Sequence, residues 1–280
     1  MPSSTSSTIE TKQWLQQLLN EDIPMPEGDE LLNASKRVLQ CFHSTDAELR
    51  DNLAYSLIAK WITSSKFTSD QLLTLLDQAL SSEMLLYRIG ESNTSSVLMR
   101  SFSSLVIASI LYQDQQEKFL SEETYTNVLH TLITYAEREM DLRGYVAEYG
   151  WVHSVAHVSD AFDELAYHRF SSYEVCQQIW QAFYQFITRA EAVFGFEEDE
   201  RMAVALRSMI THQHVSAAQF CTWIETASEQ LDQQDYMERY VKGINLKHVV
   251  RSVYLGFKLN GQLRGEDEQL YTELKALRQK

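Results

Sequence analysis

Thr68-Ser69-Asp70-Gln71-Leu72-Leu73-Thr74-Leu75-Leu76-Asp77-Gln78-Ala79-Leu80 sets the fold class. Leu72, Leu73, Leu75, Leu76, Ala79 and Leu80 recur at three- and four-residue spacing, so they share one face of a helix. Thr68 stands three residues before Gln71. At that spacing a hydroxyl and a side-chain amide satisfy each other's free N–H groups at a helix start. The same punctuation returns at Thr45 with Glu48, Ser171 with Glu174 and Ser216 with Gln219.

On either side of this stretch the same pattern gives helix pairs at 46–63 with 69–80, 94–113 with 121–140, 146–167 with 172–194, 198–213 with 216–230, and 244–259 with 266–279. First helices begin near 46, 94, 146, 198 and 244, in steps of 46 to 52 residues, slightly longer than HEAT and armadillo repeats. The expected fold is all-α: antiparallel helix pairs stacked as a HEAT/armadillo-like α-solenoid, a single domain over 9–280. An irregular helical bundle is the alternative. A stacked array buries a continuous core and exposes one extended groove. Upstream, 11–20 and 29–42 read as helices, Pro24-Met25-Pro26-Glu27-Gly28 as their linker, and 1–8 as a disordered tail. Gly28, Gly90, Gly144, Gly195, Gly243, Gly261 and Gly265 fall at expected joints, where left-handed turns carry no steric cost.

Composition agrees with this reading. The three prolines stand at 2, 24 and 26, and none follows as far as Lys280. Proline breaks helix interiors, so its absence favours a helical body. An apolar content of 44% excludes wholesale disorder. Lys and Arg number 24 against 39 Asp and Glu, a net charge of −15. That balance disfavours nucleic acid and an anionic membrane surface, which both demand basic residues. No apolar run approaches 18 residues, the best being Leu105 to Leu111 with Ser109 inside it, so no membrane span is expected. Cys41, Cys176 and Cys221 lack finger or redox spacing and are expected as reduced thiols of a cytoplasmic protein. Residues 1–8 have neither a basic nor an apolar run and do not read as a signal peptide.

The most unusual stretch is Gly150-Trp151-Val152-His153-Ser154-Val155-Ala156-His157-Val158-Ser159-Asp160. Wound as a helix, it puts Trp151, Val155, Val158, Phe162 and Leu165 on one face and His153, His157, Asp160 and Glu164 on the other, with His168 nearby. A His pair at i and i+4 can hold one metal, with Asp160 as third ligand or as the carboxylate orienting His157. The metalloprotease pattern has Glu after the first His; Ser154 stands there, so the general base is missing. The bland reading is a polar face, solvated or bonded to the next helix.

Further polar clusters sit early in the first helix of each pair: Arg50-Asp51, Arg100-Ser101-Phe102-Ser103, Glu198-Asp199-Glu200-Arg201, and Asn245 with Lys247 and Arg251. Equivalent positions of stacked repeats share a surface. The candidate ligand-binding residues are thus Arg50, Arg100, Arg143, Trp151, His153, His157, Asp160, Arg201, Lys247 and Arg251. Arg100, Arg143 and Arg251 would hold an anionic group, and His153, His157 and Asp160 would give orientation or pH sensitivity. The alternative is that each Arg ties helix ends through a nearby carboxylate. No dinucleotide fingerprint, phosphate loop or nucleophile elbow occurs.

Arg50-Asp51, Ala54-Tyr55, Trp61-Ile62, Arg100 to Ser103, Arg143-Gly144-Tyr145, Gly150 to His153 through His157 to Asp160, Glu198 to Arg201, Asn245 to Lys247 and Arg251 to Tyr254 come in an order. In that order, across about residues 46–255, the chain resembles the bacterial family catalogued as domain of unknown function 2785 (DUF2785). The resemblance implies a soluble helical protein and no assigned activity. The expected function is a cytoplasmic binding or scaffold module whose Arg/His strip recognises a protein, a peptide or a small anionic ligand, without a cofactor. The alternative is a hydrolase holding a divalent metal on His153, His157 and Asp160, or with Glu198 completing the set.

Overall fold

A computed structural model describes residues 4–231, 235–260 and 267–278. Among them stand twelve α-helices and one two-stranded hairpin, so the chain is mostly helical. Packing groups it into two compact units. One is Met1–Leu120 with Tyr145–Val152, the other Ser121–Gly144 with His153–Lys280.

The first unit holds α1 (Ser4–Leu19), α2 (Gly28–Gln40), α3 (Ser56–Thr63), α4 (Ser69–Leu80), α5 (Ser96–Glu117) and the hairpin strands β1 (Tyr145–Val146) and β2 (Gly150–Trp151). α1 begins inside the stretch expected to be a disordered tail. A π-helical segment, Glu48–Tyr55, runs directly into α3. The capping box that opens α4 has both halves, with Thr68 Oγ1 accepting from Gln71 N and Thr68 N donating to Gln71 Oε1. α5 packs against α3 and α4 and forms the centre of this unit. It is apolar and long enough to cross a membrane by length and composition, yet 83% of that apolar window is buried within the protein. Buried Ser103 and Ser104 return their hydroxyls to the helix backbone, at Met99 O and Ser101 O, while the Ser101 hydroxyl donates to Val152 O.

The hairpin replaces the first turns of the helix expected from residue 146. Tyr145 pairs with Trp151 and Val146 with Gly150, whose φ of +77° suits the residue with no Cβ. Val152, Val146 and Tyr149 pack on Val97 and Leu98 of α5. Trp151 therefore does not share a helical face with Val155. It is exposed, with its ring edge-on to Tyr145 at 5.0 Å.

The second unit holds α6 (Glu122–Arg138), α7 (Ser154–Tyr167), α8 (Tyr173–Arg189), α9 (Glu198–Thr211), α10 (Ala217–Leu231), α11 (Tyr236–Leu259) and α12 (Asp267–Arg278). α7 packs on α9 and α9 on α11. α6 packs on α8 and α10 on α12. Trp180 of α8 stacks on Trp223 of α10 at 6.0 Å. Alternate helices are thus neighbours within each of two rows. Rows are joined by pairs such as α7 with α8 and α10 with α11. α11 starts at Tyr236, well before the expected 244, so Gly243 lies inside a helix rather than at a joint. Gly261 and Gly265 lie outside the described residues.

Candidate functional site

Two of the candidate arginines are internal struts of the first unit. Arg50 is completely buried. It donates to the carbonyls of Ser44 (2.9 Å), Tyr149 (2.8 Å) and Trp151 (3.2 Å). Its Nε lies 2.6 Å from Asp51 Oδ1, and its guanidinium sits 4.9 Å from the Phe102 ring centre. A planar fork with five donors can serve several carbonyls at once, which no other side chain does. Arg100 is equally buried, donating to Tyr87 O (3.1 Å), Glu91 O (3.1 Å) and Ser96 Oγ (2.9 Å). Both guanidiniums fasten connections to helices, so neither is presented to a ligand.

The second unit repeats the device. Arg189, which sequence reasoning passed over, donates to Ala136 O and Glu139 O, each at 2.8 Å, satisfying carbonyls at the C-terminal end of α6. Asn245 accepts from Phe194 N and donates to Ala192 O, fixing the segment before α9. Arg143 is half-buried and paired with buried Asp141, its Nε 2.7 Å from Oδ1. His168 is a core residue, stacked on Tyr125 at 4.6 Å, and takes no part in the histidine face.

His153, His157, Asp160 and Arg201 do come together. After Gly144 the chain returns to the second unit at His153, whose N–H donates to Gly144 O at 3.0 Å. Phe196 and Glu198 occupy the space a side chain at 144 would need, so glycine is required there. His153 caps α7 with φ +48° and Glu197 caps α9 with φ +67°. Left-handed backbone at a residue other than glycine costs on the order of 1 kcal/mol, and such residues gather at functional sites. The two strained caps influence one another: the Glu197 charge raises the His153 pKa, against larger lowering by burial and by Arg201.

His153, the cap of α7, and His157 in its first turn have rings near-parallel at 17° and 5.3 Å between centres. Arg201 of α9 reaches across to Asp160, its Nη1 2.8 Å from both carboxylate oxygens. Burial pushes the Asp160 carboxyl up, and Arg201 opposes that shift. With its oxygens engaged by Arg201, Asp160 is not placed as a third metal ligand. Among the described residues no group of three or more His, Cys, Asp and Glu is arranged to hold an ion. Glu198 is buried and bonded to Phe196 N at 2.8 Å, which removes it from the alternative metal set.

Further along the same row of helices, Asp163 accepts from Ser208 Oγ, and Asp199 accepts from Ser252 Oγ at 2.8 Å. Arg251 is exposed on α11. Lys247 lines a separate cavity between α10, α11 and α12. That cavity escaped the sequence reading because its tyrosines at 236 and 240 precede the expected helix start; their spacing of four was the available signal.

No curated protein and no solved structure matches the chain. A family model described as a protein of unknown function, DUF2785, matches residues 85–255, more than half of the 280 residues. The match spans α5, the hairpin, α7, α9 and most of α11, and the chain belongs to that family.

Proposed function

We propose that the protein is a binding module whose second unit is a short helical-repeat stack, and that its α7–α9 face takes an anionic group from a peptide or protein partner. The i to i+2 neighbourhood of α7, α9 and α11 supports the stacked reading. One observation carries the ligand: two near-parallel, half-buried imidazoles beside a guanidinium. Two imidazolium charges at 5.3 Å repel by about 1–3 kcal/mol between water-like and surface dielectric values. A bound carboxylate or phosphate removes that penalty, so anion binding draws protons onto the pair. Arg201, held by Asp160, is the charged flank available for exchange.

The test is titration of the histidine ring signals by NMR, using an acetylated, amidated Asp-Glu peptide and inorganic phosphate as probes. His153 and His157 should shift saturably and their titration midpoints should rise with ligand. Arg201→Gln should weaken binding about tenfold. Ring signals unmoved by both probes, or moved equally in Arg201→Gln, would defeat the proposal.

A further inference from the structure

α11 contains two internal glycines, and only one is explained by packing. At Gly256 the Arg207 guanidinium fills the place of a side chain. At Gly243 a Cβ would meet nothing within 4 Å. Glycine inside a helix costs about 1 kcal/mol relative to alanine, so an uncrowded one at mid-helix needs a reason. Gly243 lines the cavity between α10, α11 and α12, and a side chain there would intrude on it.

That cavity is graded from apolar to cationic. Leu231, Leu246 and Leu277 are buried at its base. Arg239 and Lys247 are half-buried on its wall. Tyr236 and Tyr240 are exposed at its mouth, rings stacked at 6.2 Å. None of the described lining residues is acidic, in a chain carrying 39 acidic residues against 24 basic. Its volume, about 130 Å³, approaches the ~150 Å³ of an apolar cavity that accepts benzene.

We infer that this cavity, separate from the α7–α9 face, binds a one-ring or branched apolar carboxylate, its tail on the leucines and its carboxylate on Lys247. A free acid and the C-terminal residue of a peptide share that chemistry.

Calorimetry on the full chain distinguishes the two sources with phenylacetate and with an acetylated peptide ending in phenylalanine. Phenylacetamide and the amidated peptide serve as uncharged controls. Either acid should bind saturably, and its amide at least about tenfold more weakly; the tighter of the two acids identifies the source. Lys247→Gln should cost about tenfold. Gly243→Leu should abolish binding, while Gly243→Ala should raise the melting temperature and so show that the glycine is not there for stability. The inference is overturned if neither acid binds up to millimolar concentration, if acid and amide bind alike, or if folded Gly243→Leu binds as the parent does.

Discussion

Replacing Arg50 with methionine isolates the strut that fixes the hairpin in the first unit. Methionine keeps the length of the side chain and loses every donor. Three carbonyls, at Ser44, Tyr149 and Trp151, lose their partner, and Asp51 loses its counter-charge. An orphaned buried acceptor costs about 1–3 kcal/mol, and breaking a buried ion pair about 3–5 kcal/mol. The hairpin end relaxes toward water, so the loss should fall near 3–5 kcal/mol rather than at the sum. That is a large fraction of the roughly 5–15 kcal/mol holding a domain together, and on the order of 10 °C in melting temperature. Arg50→Lys should recover little, because one ammonium cannot face all the acceptors. A second signature follows from Asp51, whose carboxyl burial already pushes up while Arg50 opposes it. Without Arg50 its pKa rises further, so the variant's deficit should shrink as pH falls from 7 toward 4. Thermal and denaturant unfolding, with limited proteolysis of 145–151, read all three effects. A loss below about 1 kcal/mol with an intact hairpin, or a deficit that grows in acid, would refute the strut.

Gly144→Ala should destabilise by more than about 2 kcal/mol, since Phe196 and Glu198 leave no room for a methyl group; thermal unfolding checks it. His153 carries a pKa lowered by burial and by the Arg201 charge. Its unfolded value is about 6.5, so the unfolded chain binds more protons just below that pH and stability should fall as pH drops from 7 toward 5. His153→Gln should flatten that slope in denaturant titrations. Burial pushes the Cys41, Cys176 and Cys221 thiols up to about 11, so a thiol reagent at pH 8 should label them only after unfolding.

Periodicity and capping made most of the helices legible. Thr68 with Gln71 and Ser216 with Gln219 form both halves of their boxes. At the third site the cap is Ser172, accepting from Val175 N, one residue after the expected Ser171. The hairpin was misread because Trp151, Val155 and Val158 also fit a helical stripe. What overrides that stripe is long-range: two hydrogen bonds from Arg50, to the carbonyls of Tyr149 and Trp151, and the Val97–Leu98 surface hold residues 145–152 extended. Spacing alone could not distinguish a guanidinium lining a groove from one buried under a loop. Arg50 and Arg100 therefore looked like Arg201, though only Arg201 is exposed. His153, His157 and Asp160 were legible as a cluster because helical geometry alone brings them together. Asp160's partner, forty-one residues away, was not.

Proton uptake on binding shows whether the paired histidines form the anion site. The acidic peptide is titrated into the protein by calorimetry near pH 6.5, in buffers of contrasting ionisation heat, alongside His153→Gln/His157→Gln. The expected result is net proton uptake on peptide binding, lost in the double variant. Binding without proton uptake, or uptake unchanged in the variant, would contradict an anion site built on the paired histidines.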